Sequence, residues 1–202
     1  MSHYRRANRL GTQGWRNKEL ESKGVSVTIP KSPWEEDNGE KTMGFKLGKR
    51  SLERLEGVDE RMVAVVKHAI AVTKQDFSVI CGLRTIEEQR KLVESGASQT
   101  IASKHIPGLA VDLMAYDSGS TPAGRWELNL YDEIADAMAE GARNVGVGVC
   151  WGAAWSTEEN SYPMDIRYWE GMMEKAMNAY VDKKRKMGKR AFIDGPHFEL
   201  IV

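Results

Sequence analysis

The sequence predicts an α+β domain in which a small antiparallel sheet is flanked by helices. Apolar residues recur at helical spacing in four separated segments. Short alternating runs lie between those segments without the regular strand-helix-strand winding of an α/β protein. The composition, 41% hydrophobic and 29% charged over 202 residues, is that of a globular chain with room for one core. Charge is balanced, with 29 Lys and Arg against 29 Asp and Glu, so no global attraction to nucleic acid is expected. No run reaches the roughly 20 apolar residues of a membrane-spanning helix, so no stable membrane insertion is expected either.

Residues 1–44 are rich in Gly, Ser, Asn, Pro and charge, with a basic opening (Arg5, Arg6, Arg9, Arg16, Lys18) and an acidic patch (Glu35, Glu36, Asp37, Glu40). This reads as an extended or partly ordered N-terminal extension, either a solvated tail or a basic arm for docking. From Phe45 the patterning becomes regular. Asp59 can cap a helix carrying Met62, Val63, Val66, Ala69 and Ile70 on one side. Phe77, Val79 and Cys81 alternate as in a strand, and Thr85-x-x-Glu88 is the capping box of a second helix ending near Gly96. Arg84 therefore sits at a strand-to-helix junction. Leu109–Tyr116 reads as a strand with Ala110, Asp112 and Met114 on one face and Val111 and Leu113 on the other.

A third helix is expected from Leu128 to about Val145, and a short strand from Gly148 to Trp151. A fourth helix is expected from about Met164 to Val181, with Ile166, Trp169, Met173, Met177 and Tyr180 as its apolar side, followed by the basic run Lys183–Arg190. His197–Val202 alternates as a last strand, with His197, Glu199 and Ile201 sharing a face. Cys81 and Cys150 lie in apolar runs without a CxxC spacing and read as buried thiols rather than as a disulfide or metal ligands.

Two of the four histidines stand in unusual settings. His105 lies in a loop that turns at Pro107 and Gly108 and runs into the strand bearing Asp112, so the turn can fold the imidazole back beside the carboxylate. His197 follows Asp194-Gly-Pro, a tight turn that leads into the final strand. Two imidazoles and a carboxylate match the three-ligand count of a catalytic zinc site, which leaves its fourth position open. On spacing alone, ordinary hydrogen-bonding roles remain open for all three residues, because His-x6-Asp has no single-helix geometry behind it.

The blocks FKLGKRSLERLEGV, GLRT (Gly82–Thr85) with Glu88-Gln89, SxHxxGxAVDL (Ser103–Leu113), WGxxW (Trp151–Trp155) and DxPHFEL (Asp194–Leu200) occur together and in order. With these blocks the chain from Phe45 onward closely resembles the D-alanyl-D-alanine carboxypeptidase family of metallopeptidases, in particular its phage L-alanyl-D-glutamate endopeptidase (endolysin) branch. The resemblance implies a hedgehog/DD-peptidase-like fold over residues 45–202 and one zinc ion held by His105, Asp112 and His197. It also implies Asp194 as general base and Arg84 as an arginine that binds or polarises substrate. Ser103 either positions substrate or caps its own loop. The implied reaction is hydrolysis of a peptidoglycan stem peptide, with L-alanyl-D-glutamate favoured over terminal D-alanyl-D-alanine, and a non-catalytic metal-holding module as a third reading.

Residues 156–191 are longer than the corresponding connection expected in compact relatives and read as a helical, basic insertion before the last strand. A lid beside the cleft, a contact to acidic wall polymer and a solvated elaboration are all compatible with it, a packed helix with a solvated basic end being favoured. Ala153 and Ala154 follow Gly152 where the family often has a second glycine. The N-terminus lacks the apolar core of a secretory signal. The expectation is a monomer made in the host cytoplasm that reaches the wall through a holin-made opening.

Overall fold

The computed structural model describes residues 44–98, 100–119, 123–158 and 162–202. The N-terminal extension expected up to residue 44 lies, except for Gly44, outside the described residues. The chain runs through α1 (Lys49–Arg54), α2 (Glu60–Val72), β1 (Phe77–Cys81), α3 (Ile86–Glu94), β2 (Ala110–Tyr116), β3 (Gly124–Arg125), α4 (Leu128–Val145) and β4 (Gly148–Trp151). A 3-10 turn (Ile166–Tyr168), α5 (Met173–Lys186) and β5 (His197–Ile201) complete it.

Two helix starts follow from local capping chemistry. Asp59 accepts a hydrogen bond from the Arg61 amide at the head of α2, and Thr85 and Glu88 form a reciprocal capping box at the head of α3. The helix α4 ends where Gly146 takes a left-handed conformation. The helix expected from Met164 to Val181 is divided instead. A 3-10 turn capped by Asp165 comes first, Gly171 takes φ 106°, and the regular helix starts only at Met173 and runs on to Lys186. The Met173 amide is met by the Asp136 carboxylate at 2.7 Å, which ties α5 to α4.

The strands form one antiparallel sheet in the order β1-β2-β5-β4, with β3 pairing the end of β2. One face carries Phe77, Val79, Val111, Leu113, Val149, Trp151, Phe198 and Leu200, which join Met62, Val65 and Val66 of α2 and Ile134 and Met138 of α4 in a single buried cluster. Trp151 and Phe198 sit opposite each other in register, stacked at 6.2 Å. This core makes the sheet a rigid base for whatever its opposite face presents.

That opposite face is set by register. Asp112 is the partner of His197 on β5 and of Cys81 on β1, so the three lie in one row across three strands. Cys81 reaches the row through a bulge. Phe77, Ser78 and Val79 pair with Ala115, Met114 and Leu113, after which Cys81, not Ile80, pairs with Asp112. The bulge adds a residue and turns Cys81 away from the core face that Val79 occupies. The expectation of a buried core thiol is therefore corrected for Cys81, which is half-buried beside the two site residues. It holds for Cys150, which is fully buried and whose thiol is pushed up by desolvation.

Met173, Ala176 and Tyr180 of α5 are buried, and Met164 and Ile166 belong to the same core. The basic end of α5 stays at the surface, where Lys186 pairs with Glu158 and Arg185 with Asp182. Tyr180 Oη donates to the Phe192 carbonyl at 3.2 Å, and Lys183 Nζ donates to the Thr157 carbonyl at 2.9 Å. The helix thus braces the two segments that flank Trp155 and Asp194.

Candidate metal centre

On the sheet face opposite the core lies a cleft of about 670 Å³, and Arg84, Ser103, His105, Asp112, Asp194 and His197 all line it. The elements deliver these residues in different ways. Asp112 and His197 come from paired positions of β2 and β5. His105 comes from a loop folded back by Gly108, which has φ 72° and whose carbonyl accepts from the Asp59 amide at 2.9 Å. A Cβ at residue 108 would also come within 2.5 Å of the Gly57 carbonyl oxygen, so glycine is required there on two counts.

His105 Nε2, His197 Nδ1 and Asp112 Oδ1 form a nearly equilateral triangle, with separations of 3.3, 3.1 and 3.1 Å. A tetrahedron whose centre lies about 2.0 Å from each corner, the usual zinc-nitrogen distance, has edges of about 3.3 Å. The other nitrogen of each ring is already engaged. His105 Nδ1 lies 2.7 Å from the Gly82 carbonyl, and His197 Nε2 lies 3.2 Å from Glu199 Oε2. Both partners are acceptors, so each ring carries its proton there and turns a lone pair into the triangle. With His105 Nε2 and His197 Nδ1 deprotonated, three lone pairs would face one another at a spacing that a metal cation fits.

The electrostatics agree. Burial opposes charge on both imidazoles, but hydrogen bonds to Asp112, with Cys81 and Gly82 for His105 and Glu199 for His197, carry each up to about 9. Against its own burial, Asp112 is held far below the ordinary carboxylate range by the two histidines. The cluster binds positive charge avidly, and a divalent ion can replace the protons. Among the described residues, Cys81, His105 and Asp112 also place one donor atom each within 4.8 Å of one another. The thiol is pulled below its usual value by His105 and Arg84 although burial pushes it up, and Arg84 Nη2 donates to Sγ at 3.1 Å. Of the two sets, the His105, Asp112 and His197 triangle has the separations expected of three tetrahedral ligands. Cys81 is its neighbour, already occupied by a cationic donor.

Arg84 touches more of the protein than the sequence suggests. Nη1 donates to Gln89 Oε1 at 2.8 Å, Nη2 to Asp112 Oδ2 at 3.1 Å, and the Arg84 amide to the His105 carbonyl at 3.1 Å. The guanidinium therefore occupies the Asp112 oxygen that points away from the triangle. Ser103 Oγ accepts from the His105 amide at 3.3 Å, a loop-capping contact that still leaves its hydroxyl proton to be donated.

Asp194 is placed by a close approach of backbone. A Cβ on Gly152 would fall 2.4 Å from the Asp194 carbonyl oxygen and 3.0 Å from His197 Cβ, so the glycine after Trp151 lets the Asp194–His197 turn press against β4. Trp151 Nε1 donates to the Gly195 carbonyl at 2.8 Å and fixes the same turn. Burial raises the Asp194 carboxyl above the ordinary value, partly offset by His197. The ring of Trp155 lies 5.5 Å from His197 and forms an aromatic wall with Tyr162 beyond it.

Two contributors escaped the sequence reading. The alternation of β5 already puts Glu199 on the face of His197, but that it buttresses the ring is visible only in the hydrogen bond. Cys81 escaped because a bulge cannot be read from alternation.

Comparisons with known proteins bear on the same elements. The model of the phage L-alanyl-D-glutamate peptidase family matches residues 43–173, a span that contains Arg84, Ser103, His105 and Asp112 and stops before Asp194 and His197. The L-alanyl-D-glutamate peptidase of Escherichia phage T5 is 28% identical over 118 residues, 56% of this chain and 84% of that protein. The crystal structure of the Serratia marcescens L-Ala D-Glu endopeptidase ChiX is similar with a TM-score of 0.55 and 30% identity, covering 81% of this chain and 94% of that one.

Proposed function

The chain belongs to the phage L-alanyl-D-glutamate peptidase family, and from that premise we propose that it hydrolyses the amide between L-alanine and D-glutamate in peptidoglycan stem peptides, using one zinc ion held by His105, Asp112 and His197. The observation that carries the proposal is the triangle of three lone pairs at tetrahedral spacing, with each histidine locked into the ligating tautomer by Gly82 or Glu199. The donors suit zinc: two imidazoles and one carboxylate oxygen, with the remaining side open to the cleft. A zinc ion there supplies a Lewis acid that polarises the scissile carbonyl and acidifies water.

The chain's own residues do the rest. Asp194 accepts a proton from the attacking water at its carboxylate and returns it to the departing D-glutamate nitrogen. Its burial, which raises its affinity for a proton, suits a group that must hold one between the two transfers. Arg84 holds Asp112 through Oδ2 and keeps a permanent positive charge beside the reacting carbonyl. Trp155, with Tyr162 beyond it, forms an aromatic wall on one side of the cleft.

Such an enzyme acts on the wall. Among the described residues no helix is long and apolar enough to cross a membrane, so delivery through a holin-made opening belongs to the same proposal. The test is mass analysis of wall fragments released by the purified zinc-loaded protein. New amino-terminal D-glutamate is expected, lost with chelator and restored by zinc, and His105→Ala is expected to hold no stoichiometric metal. Release of free D-alanine with the sugar-peptide linkage intact, or no solubilisation across several wall chemotypes, overturns it.

A further inference from the structure

The cleft holds two cationic side chains that belong to no metal ligand, Arg84 and Lys104. They differ in what they have left to offer. Arg84 is spent on Asp112, Gln89 and Cys81, and its side chain is only 14% exposed. Lys104 is half-buried and its ammonium has no hydrogen-bond or ion-pair partner among the described residues.

The backbone beneath Lys104 is nevertheless fixed. Its carbonyl accepts from the Leu109 amide at 2.8 Å at the entry to β2, and the Ser103 carbonyl accepts from Ile106 at 3.2 Å. The residue lies in the chain between Ser103, whose hydroxyl has no acceptor among the described residues, and His105, a corner of the triangle. An ammonium that lines a cleft without a protein partner is available to an anion that enters it.

The substrate chemistry provides that anion. A glutamate residue whose nitrogen is acylated and whose chain continues through one carboxyl keeps the other carboxyl free. That carboxylate lies two bonds from the scissile nitrogen if the chain continues through the side chain, or four bonds if it continues through the backbone. Either way it enters the cleft together with the bond to be cut.

We infer that Lys104, assisted by the Ser103 hydroxyl, is the subsite that binds the free carboxylate of the glutamate on the leaving side, and so sets the requirement for glutamate over its amide. This rests on the peptidase reading of the same cleft. Lys104 is a specificity residue that contacts substrate, while Arg84 organises the metal ligand.

The experiment compares two soluble stem peptides with wild-type protein, one with the glutamate carboxylate free and one with it as a carboxamide, following the new D-glutamate or D-isoglutamine amino terminus by mass spectrometry. Wild type is expected to favour the free acid by about 10- to 100-fold in kcat/KM, the range of one charge-assisted contact, with most of the difference in KM. Lys104→Met is expected to lose that preference by losing activity on the acid alone, with zinc stoichiometry unchanged. Lys104→Arg is expected to retain the preference. Equal cleavage of acid and amide by wild type, or a preference that survives in Lys104→Met, overturns the Lys104 subsite while leaving the peptidase intact. Cleavage of neither peptide by wild type overturns the peptidase reading, and the subsite with it.

Discussion

Replacing Glu199 by glutamine removes one negative charge from behind His197 while keeping the shape of the side chain and an acceptor oxygen. Glu199 Oε2 lies 3.2 Å from His197 Nε2, and the two residues are only 7% and 9% exposed, so no solvent compensates for the lost charge. The carboxylate holds the proton on Nε2 and makes Nδ1 a better donor to a metal. Partners of this kind are worth about 10- to 100-fold in metal affinity. With both groups buried, the middle of that range, about 30-fold or about 2 kcal/mol, is expected for Glu199→Gln. The same loss appears in stability, because saturating zinc stabilises the fold by an amount that falls by about 2 kcal/mol when affinity falls about 30-fold. Zinc competition against a chromophoric chelator at fixed pH measures the first quantity, and denaturant unfolding with and without zinc measures the second. If Glu199→Gln binds zinc within about twofold of wild type and folds normally, the negative charge behind His197 contributes nothing to metal affinity and the buttress argument fails.

Three further outcomes follow from other parts of the structure. Asp194→Ala is expected to keep zinc at native stoichiometry while turnover falls about 100- to 10,000-fold, and unchanged turnover in a wall-release assay removes Asp194 as the base. Gly152→Ala forces a Cβ to within 2.4 Å of the Asp194 carbonyl oxygen, so a loss of about 1 to 3 kcal/mol in denaturant unfolding, together with weaker zinc binding, is expected; wild-type values in both refute the close-approach account. Asp132 has a buried oxygen without a partner among the described residues, and its carboxyl is pushed up to about 6 by burial and then by Glu174, Asp136 and Glu133. A folded value above the unfolded one means that its stabilising contribution is complete below about pH 4 and is lost as pH rises through about 6. Asp132→Asn should therefore be more stable than wild type by about 1 kcal/mol at pH 8 after allowance for solvent screening, with the gap gone at pH 4. A gap of equal size at both pH values contradicts the titration.

The starts of α2 and α3 were legible because each is written in adjacent residues. Asp59 and the Thr85-Glu88 pair cap the helices they announce, and the α4 and β4 bounds match the periodicity. The convergence of His105, Asp112 and His197 was legible through the joint presence of their surrounding blocks, since no local rule ties residues 92 positions apart. What escaped depended on tertiary detail. The division of the fourth helix turns on Gly171, whose positive φ breaks a pattern that hydrophobic spacing alone continues. The buttress from Glu199 was hidden in plain alternation, because a carboxylate facing a histidine two residues away reads equally well as a solvated strand face.

In the proposed site, the bulge in β1 would leave Asp112 one free oxygen for a metal. Regular pairing would place Ile80 opposite Asp112 and leave Cys81 facing the core with Val79. The added residue instead brings Cys81 into the row of Asp112 and His197, and the chain then turns immediately at Gly82, where a Cβ would lie 2.0 Å from the Arg54 carbonyl oxygen. That turn places the Gly82 carbonyl under His105 Nδ1 and swings Arg84, three residues after the bulged cysteine, against both Cys81 Sγ and Asp112 Oδ2. With Oδ2 held by the guanidinium, Asp112 offers only Oδ1 to the triangle. A bidentate carboxylate would take up the side that faces the cleft, whereas a single-oxygen ligand keeps three protein donors and an open position, the arrangement that catalysis at zinc requires. One extra residue in an edge strand thus sets the carbonyl that faces His105 Nδ1, the Asp112 oxygen left free for a metal and the place of Arg84 together, which is why these features are expected to fail together if the bulge is removed.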